Sequence, residues 1–107
     1  MTKVKFFGQN GVITGFEMSG HCTANSDDFE GKLLCSAVSS AGYMTVNTLT
    51  ETVGAEAEVD VSDDDGYMSL KLKTKLDESQ VTLKGFLLHL SELEKKKKKY
   101  LKVYSEV

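Results

Sequence analysis

Cysteine is scarce in this chain, with two among 107 residues, and that number excludes the dense disulfide framework that holds many small secreted domains together. Neither the number nor the spacing makes a zinc motif, so reduced thiols and a cytoplasmic setting are expected. Long apolar runs are also missing. The N-terminal Met1 to Phe7 mixes basic and apolar residues but reaches Gly8-Gln9-Asn10-Gly11 before a signal-peptide core can develop. No stretch is long enough to span a bilayer, and no membrane partner is expected. Positive charge is not in excess: 13 Lys and Arg stand against 16 Asp and Glu, a net charge of -3. That balance argues against broad nucleic-acid binding, and no direct nucleic-acid partner is expected. No linker or internal repeat breaks the chain, so residues 1–107 read as one small domain. A core of this size would be supplemented naturally by oligomerisation.

What is present is a clear sequence of elements. Lys3 to Phe7 and Val12 to Met18 predict two strands around the Gly-Gln-Asn-Gly turn. His21 to Gly31 is rich in Thr, Asn, Ser and Asp without a period, as in a mobile surface loop. From Lys32 to Thr52 a helix is predicted with Leu34, Val38 and Ala41 on its apolar face, and with Ser36 and Ala37 allowing close approach of a neighbour. Ala57 to Val61 and Met68 to Lys73 alternate with period two about Ser62-Asp63-Asp64-Asp65-Gly66, a second hairpin. Leu83, Phe86, Leu87, Leu90 and Leu93 mark a second helix over Glu78 to Lys97, which Asp77 or Ser79 could cap. Lys95 to Lys99 complement its C-terminal end, and Tyr100 to Ser105 returns to alternation. The order ββαββαβ predicts an α/β (α+β) two-layer sandwich: a mixed sheet of about five strands covered by two helices.

Two residues in this frame carry chemistry. Cys35 falls early in the first helix, and His21 follows Gly20 at the end of the second strand, fourteen positions before it. A thiolate attacks a carbonyl, and a histidine beside it can take the thiol proton and later protonate a leaving amine. A helix starting near Gly31 would add its N-terminal dipole and free N–H groups at Cys35. The residues alone leave open a bland alternative, in which Cys35 is a small core residue and His21 merely ends a strand.

Local words favour the first reading. Phe16-Glu17-Met18-Ser19-Gly20-His21, an acidic loop, and then Leu34-Cys35-Ser36-Ala37-Val38-Ser39 resemble the bacterial ribosomal-processing cysteine protease family. The alternating hairpins, two helices and final strand fit that family's small α/β domain over nearly the whole chain. The resemblance implies an endopeptidase that removes the N-terminal extension of large-subunit ribosomal protein 27, with His21 as general base and Cys35 as nucleophile. It also implies a supporting role for Ser39, a close strand end at Gly20, a homodimer, and no metal or cofactor. The chain departs from the pattern in a longer histidine-to-cysteine interval and in Lys32, which stands where an acid is common.

Several residues keep two readings. Cys22 takes the place of a small residue such as alanine, yet a Cys22–Cys35 disulfide would block attack by occupying the sulfur. Asp27, Asp28 and Glu30 read as solvated loop acids or as a shifted substrate clamp. Phe6, Phe7 and Phe16 suit a sheet core or a peptide groove, and His89 reads as structural or exposed. The Lys95 to Lys99 run supports an alternative function, a noncatalytic ribosome-associated binding module, and a purely structural homodimer is a third reading.

Overall fold

The computed structural model describes Met1–Val107. The elements are β1 (Thr2–Gln9), β2 (Val12–Ser19), α1 (Phe29–Asn47), β3 (Ala57–Ser62), β4 (Tyr67–Leu72), α2 (Leu76–Lys96) and β5 (Leu101–Glu106). One five-stranded sheet has the order β3-β4-β2-β1-β5. Its pairs are antiparallel except β1 with β5, which run parallel. The expected order and the two-layer arrangement are therefore both present.

The sequence explains the first hairpin residue by residue. Asn10 and Gly11 both have positive φ, 55° and 80°, the requirement of a two-residue turn whose twist matches the flanking strands. Between Phe7 and Gly8 the register slips, because Phe7 faces Gly15 while Gly8 faces Ile13. Thr14 is thus an extra residue, and this bulge reverses the alternation so that Ile13 and Phe16 are both buried.

Val4, Phe6, Phe16, Met18, Met68 and Leu70 form the helix-facing side of the sheet and are all buried. Phe6, Phe16 and Phe86 of α2 make a triangle with ring centroids 5.0–6.0 Å apart. The Phe6 and Phe16 rings therefore belong to the core, whereas Phe7 lies on the open face with Lys5 5.7 Å from its ring centroid. Across the whole open face the residues are polar or only partly buried.

Both helices begin where the sequence pattern did not place them. α1 starts three residues before Lys32, because Asp28 accepts from the Gly31 N–H at 3.1 Å and caps it. It ends at Asn47, and a wider π-type turn over Thr48–Thr52 follows, closed by the Val53 N–H on the Thr48 carbonyl. The residue that allows close approach is Gly42, buried against the Met18 and Met68 sulfurs, while Ser36 and Ala37 face solvent. At α2 neither Asp77 nor Ser79 caps. The N-cap is Lys75, left-handed at φ 53° and without a side-chain cap, and Ser79 is buried with its hydroxyl donating to the Lys75 carbonyl at 2.7 Å. Asp77 and Glu78 occupy the first turn, where their charge suits the N-terminal dipole. No helix is long and apolar enough to cross a membrane.

Candidate active site

Gly20 ends β2 with φ 84°, and a Cβ there would lie 2.6 Å from the Met1 carbonyl oxygen. The strand end can therefore turn tightly against the start of β1, where Thr2 Oγ1 donates to the Gly20 carbonyl at 3.0 Å. This turn delivers His21 to the tip of the second hairpin. Its Nε2 lies 3.3 Å from the Asp64 carbonyl oxygen, and its ring rests on Gly66, where a Cβ would come within 2.9 Å of Cε1 and 3.0 Å of Nδ1. A carbonyl only accepts, so Nε2 is the nitrogen that carries hydrogen and Nδ1 is the basic one in the neutral ring.

Cys35 arrives from the helix layer. Leu34 and Val38 are buried on either side of it in α1, and the thiol sits partly buried at the edge of that face. His21, Cys35 and Ser39 line one cavity together with Tyr43, Asp63 and Gly66. A shallower depression outside it is again bordered by His21, Cys35 and Ser39, with Lys32 on its rim. Ser39 follows Cys35 by one helical turn and so presents its hydroxyl on the same side. The structure thus brings together the four residues singled out by sequence, Gly20, His21, Cys35 and Ser39.

One expectation requires correction. Because α1 begins at Phe29, Cys35 is its seventh residue and lies in the second turn. Only the first four N–H groups of a helix lack an internal acceptor, and here Asp28 already takes those of Gly31 and Lys32, through its side chain and its carbonyl. The helix start therefore offers no free donors at the thiol.

The loop from His21 to Asp28 is braced by short-range bonds, from the Asn25 N–H to Thr23 Oγ1 at 3.1 Å and from the Asp27 N–H to Asn25 Oδ1 at 2.9 Å. Lys32 donates to the Ser26 carbonyl at 3.3 Å, so the residue replacing the common acid closes the longer loop. Asp28 also accepts from the Tyr100 hydroxyl at 3.1 Å, and Glu30 pairs with Lys97. Asp28 is therefore a structural cap, while Glu30 remains solvent-exposed in its ion pair. Cys22 is 3% exposed, with its sulfur 3.2 Å from Thr2 Oγ1. Burial pushes its thiol up, the Thr2 bond works the other way, and the neighbouring Cys35 adds to the rise. Both cysteines are free. His89 is exposed on α2.

Tyr43, Asp63, Asp64 and Gly66 were not visible as site residues in the sequence. The Ser62-to-Gly66 run announced a turn, but nothing local says which histidine a turn will meet. Of the lysine run, Lys95 pairs with Glu92 at 3.2 Å and Lys97 with Glu30, while Lys99 lies 5.4 Å from the Tyr100 ring centroid. Three of the five lysines thus have partners within the chain.

Known proteins share this fold. The family model described as Cysteine protease Prp matches residues 1–102. A Bacillus subtilis (strain 168) relative, ribosomal processing cysteine protease Prp, is 28% identical over 100 residues, covering 89% of this chain and 88% of the relative. Among solved structures, an essential ribosomal processing protease Prp from S. aureus, in complex with a covalently linked product peptide, superposes with a TM-score of 0.86. It is 18% identical, and the match covers 99% of this chain and 100% of that one. A Streptococcus mutans protein gives a TM-score of 0.85 at 23% identity over 99% of this chain and 96% of its own. The fold is shared across these proteins, and the family match extends from β1 into the start of β5: the chain belongs to the Prp family of cysteine proteases.

Proposed function

We propose that this protease removes the N-terminal extension of large-subunit ribosomal protein 27 in the cytoplasm, acting as a homodimer through a Cys35–His21 dyad. The observation that carries the reading is the shared cavity, in which a thiol from a helix and an imidazole from a strand end face the same space. The S. aureus relative is described with a covalently linked product peptide, which supports a covalent route for the cleavage.

The chemistry follows from the two side chains. His21 Nδ1 takes the Cys35 proton, and the sulfur attacks the scissile carbonyl to form a tetrahedral oxyanion. The imidazolium then protonates the departing amine, leaving a thioester on Cys35. Water, deprotonated by the same imidazole, hydrolyses the thioester and restores the thiol. Ser39, one turn further along α1, supports the cavity wall and does not itself attack. Gly20 allows the strand end to approach the substrate backbone closely.

Mass spectrometry of the full-length ribosomal protein 27 precursor, incubated under reducing conditions with wild type, Cys35→Ala or His21→Ala, tests the reading. A single N-terminal cut by wild type is expected, with loss of at least about a hundredfold in rate for either variant. An intact precursor after incubation with wild type would overturn the assigned substrate. Unchanged cleavage by Cys35→Ala would overturn the assigned nucleophile.

A further inference from the structure

The β3–β4 turn makes the closest contacts with His21 while belonging to neither element that supplies the dyad. Asp64 offers its carbonyl to Nε2, and Gly66 gives the ring a surface without a side chain. The turn is braced internally by Ser62 Oγ donating to Asp65 Oδ2 at 2.9 Å and by the Gly66 N–H donating to the Asp63 carbonyl at 3.1 Å. Internal bracing fixes its shape but not its place over the cavity. The sheet holds its base, through the pairing of β4 with β2 and the Tyr67–Glu17 bond, and a side-chain bond ties its tip to the helix layer, in which the Tyr43 hydroxyl donates to Asp63 Oδ1. Tyr43 lies on α1 two turns after Cys35 and lines the same cavity.

We propose that Tyr43 and Asp63 are positioning residues for the reaction: their hydrogen bond ties the turn that holds the His21 ring to the helix that carries Cys35. This rests on the dyad reading above. A thiol and an imidazole mounted on separate layers exchange a proton only at hydrogen-bond distance and in the correct ring orientation. One strap between the layers sets both, by fixing the height of Asp64 and Gly66 above α1. The bond also keeps the Tyr43 phenol protonated, since acceptance by Asp63, burial and the carboxylate charge all push it above its ordinary range.

The first arm of the test needs no substrate, and the second follows peptide cleavage. Iodoacetamide modification of Cys35 is followed from about pH 6 to about pH 9 in wild type, His21→Ala, Tyr43→Phe, Asp63→Ala and Asp63→Asn, with thermal melting to confirm folding. Asp63→Asn keeps an acceptor for the tyrosine hydroxyl and serves as the conservative variant. Tyr43→Phe and Asp63→Ala should share part of the low-pH loss seen with His21→Ala, about threefold to tenfold, and cleavage should fall through kcat with KM little changed. Asp63→Asn should keep most of the wild-type profile. Wild-type alkylation by a folded Tyr43→Phe would overturn the proposal, as would an effect confined to KM or an Asp63→Asn no better than Asp63→Ala. If His21→Ala itself leaves the alkylation profile unchanged, the dyad fails, and that result is distinct from failure of the strap alone.

Discussion

Cys22 and Cys35 differ in surroundings, and their reactivities should separate accordingly. Cys22 is enclosed, bonded to Thr2 and held protonated by burial, while Cys35 borders two depressions open to solvent. In the folded protein at neutral pH, peptide mass mapping after brief alkylation should show modification at Cys35, with Cys22 reached only on denaturation. Equal labelling of the two would contradict the burial of Cys22. Gly66 allows a second comparison at this scale. An alanine there meets both a left-handed backbone at φ 62° and the His21 ring, so Gly66→Ala should lower stability by about 1–3 kcal/mol and reduce cleavage strongly. Gly11→Ala is the matched control. Its φ is 80° with nothing within 4 Å of the added carbon, so it should lose stability alone. Melting temperature and turnover measured on the same two preparations separate the effects. His21 and Cys35 were legible because they are chemically distinctive and flanked by recognisable words. Tyr43 and Asp64 were not, since one acts through a hydroxyl on an ordinary helix and the other through a backbone carbonyl that any residue would supply.

At the scale of elements, the start of α1 depends on two groups whose titrations are displaced in opposite directions. Asp28 is held below the ordinary carboxylate range, chiefly by the Gly31 N–H and, against its burial, also by Tyr100. Tyr100 is pushed above the ordinary phenol range by burial and then by Asp28. A lowered carboxylate contributes stability that is complete above its unfolded-state range and disappears as pH falls through its folded-state range. A raised phenol contributes stability that is complete below its unfolded-state range and disappears as pH rises through its folded-state range. The cap should therefore hold between the two limits. Acid unfolding followed by circular dichroism should show a shallower pH dependence for Asp28→Asn than for wild type, and alkaline unfolding should do the same for Tyr100→Phe; curves that coincide with wild type would remove the cap from the pH response. The strands were readable to within a residue or two because alternation is a local property. The start of α1 and the cap of α2 were not. Asp28 lies in a loop without period and is fixed by Tyr100, far along the chain, and α2 begins at a left-handed lysine that no capping rule selects.

For the molecule as a whole, the radius of gyration is 13.4 Å, close to that of an ordinary globule of this length. The two-layer sheet, its five strands and its two helices were predictable because each amphipathic pattern needs an opposite layer to cover it. The strand order was less accessible, since adjacency of the first and last strands is not encoded by the periodicity of either. Sedimentation across the micromolar range should give a dimer mass that dissociates on dilution, while a constant monomer mass would reject the proposed homodimer.

Thr2 joins the early and late parts of the polypeptide at one point. Its N–H donates to the Tyr100 carbonyl at 2.9 Å, its hydroxyl holds the Gly20 carbonyl, and its register partner in the sheet is Leu101. The strand end that presents His21 is thus braced by a residue whose own place depends on β5, a strand far along the sequence. Closing such a long loop is slow relative to local hairpin and helix formation. During folding the two hairpins and α1 are expected to form first, with His21 and Cys35 not yet held in register. On refolding from denaturant, peptidase activity should then return only with the slow docking of β5, a timing imposed by topology.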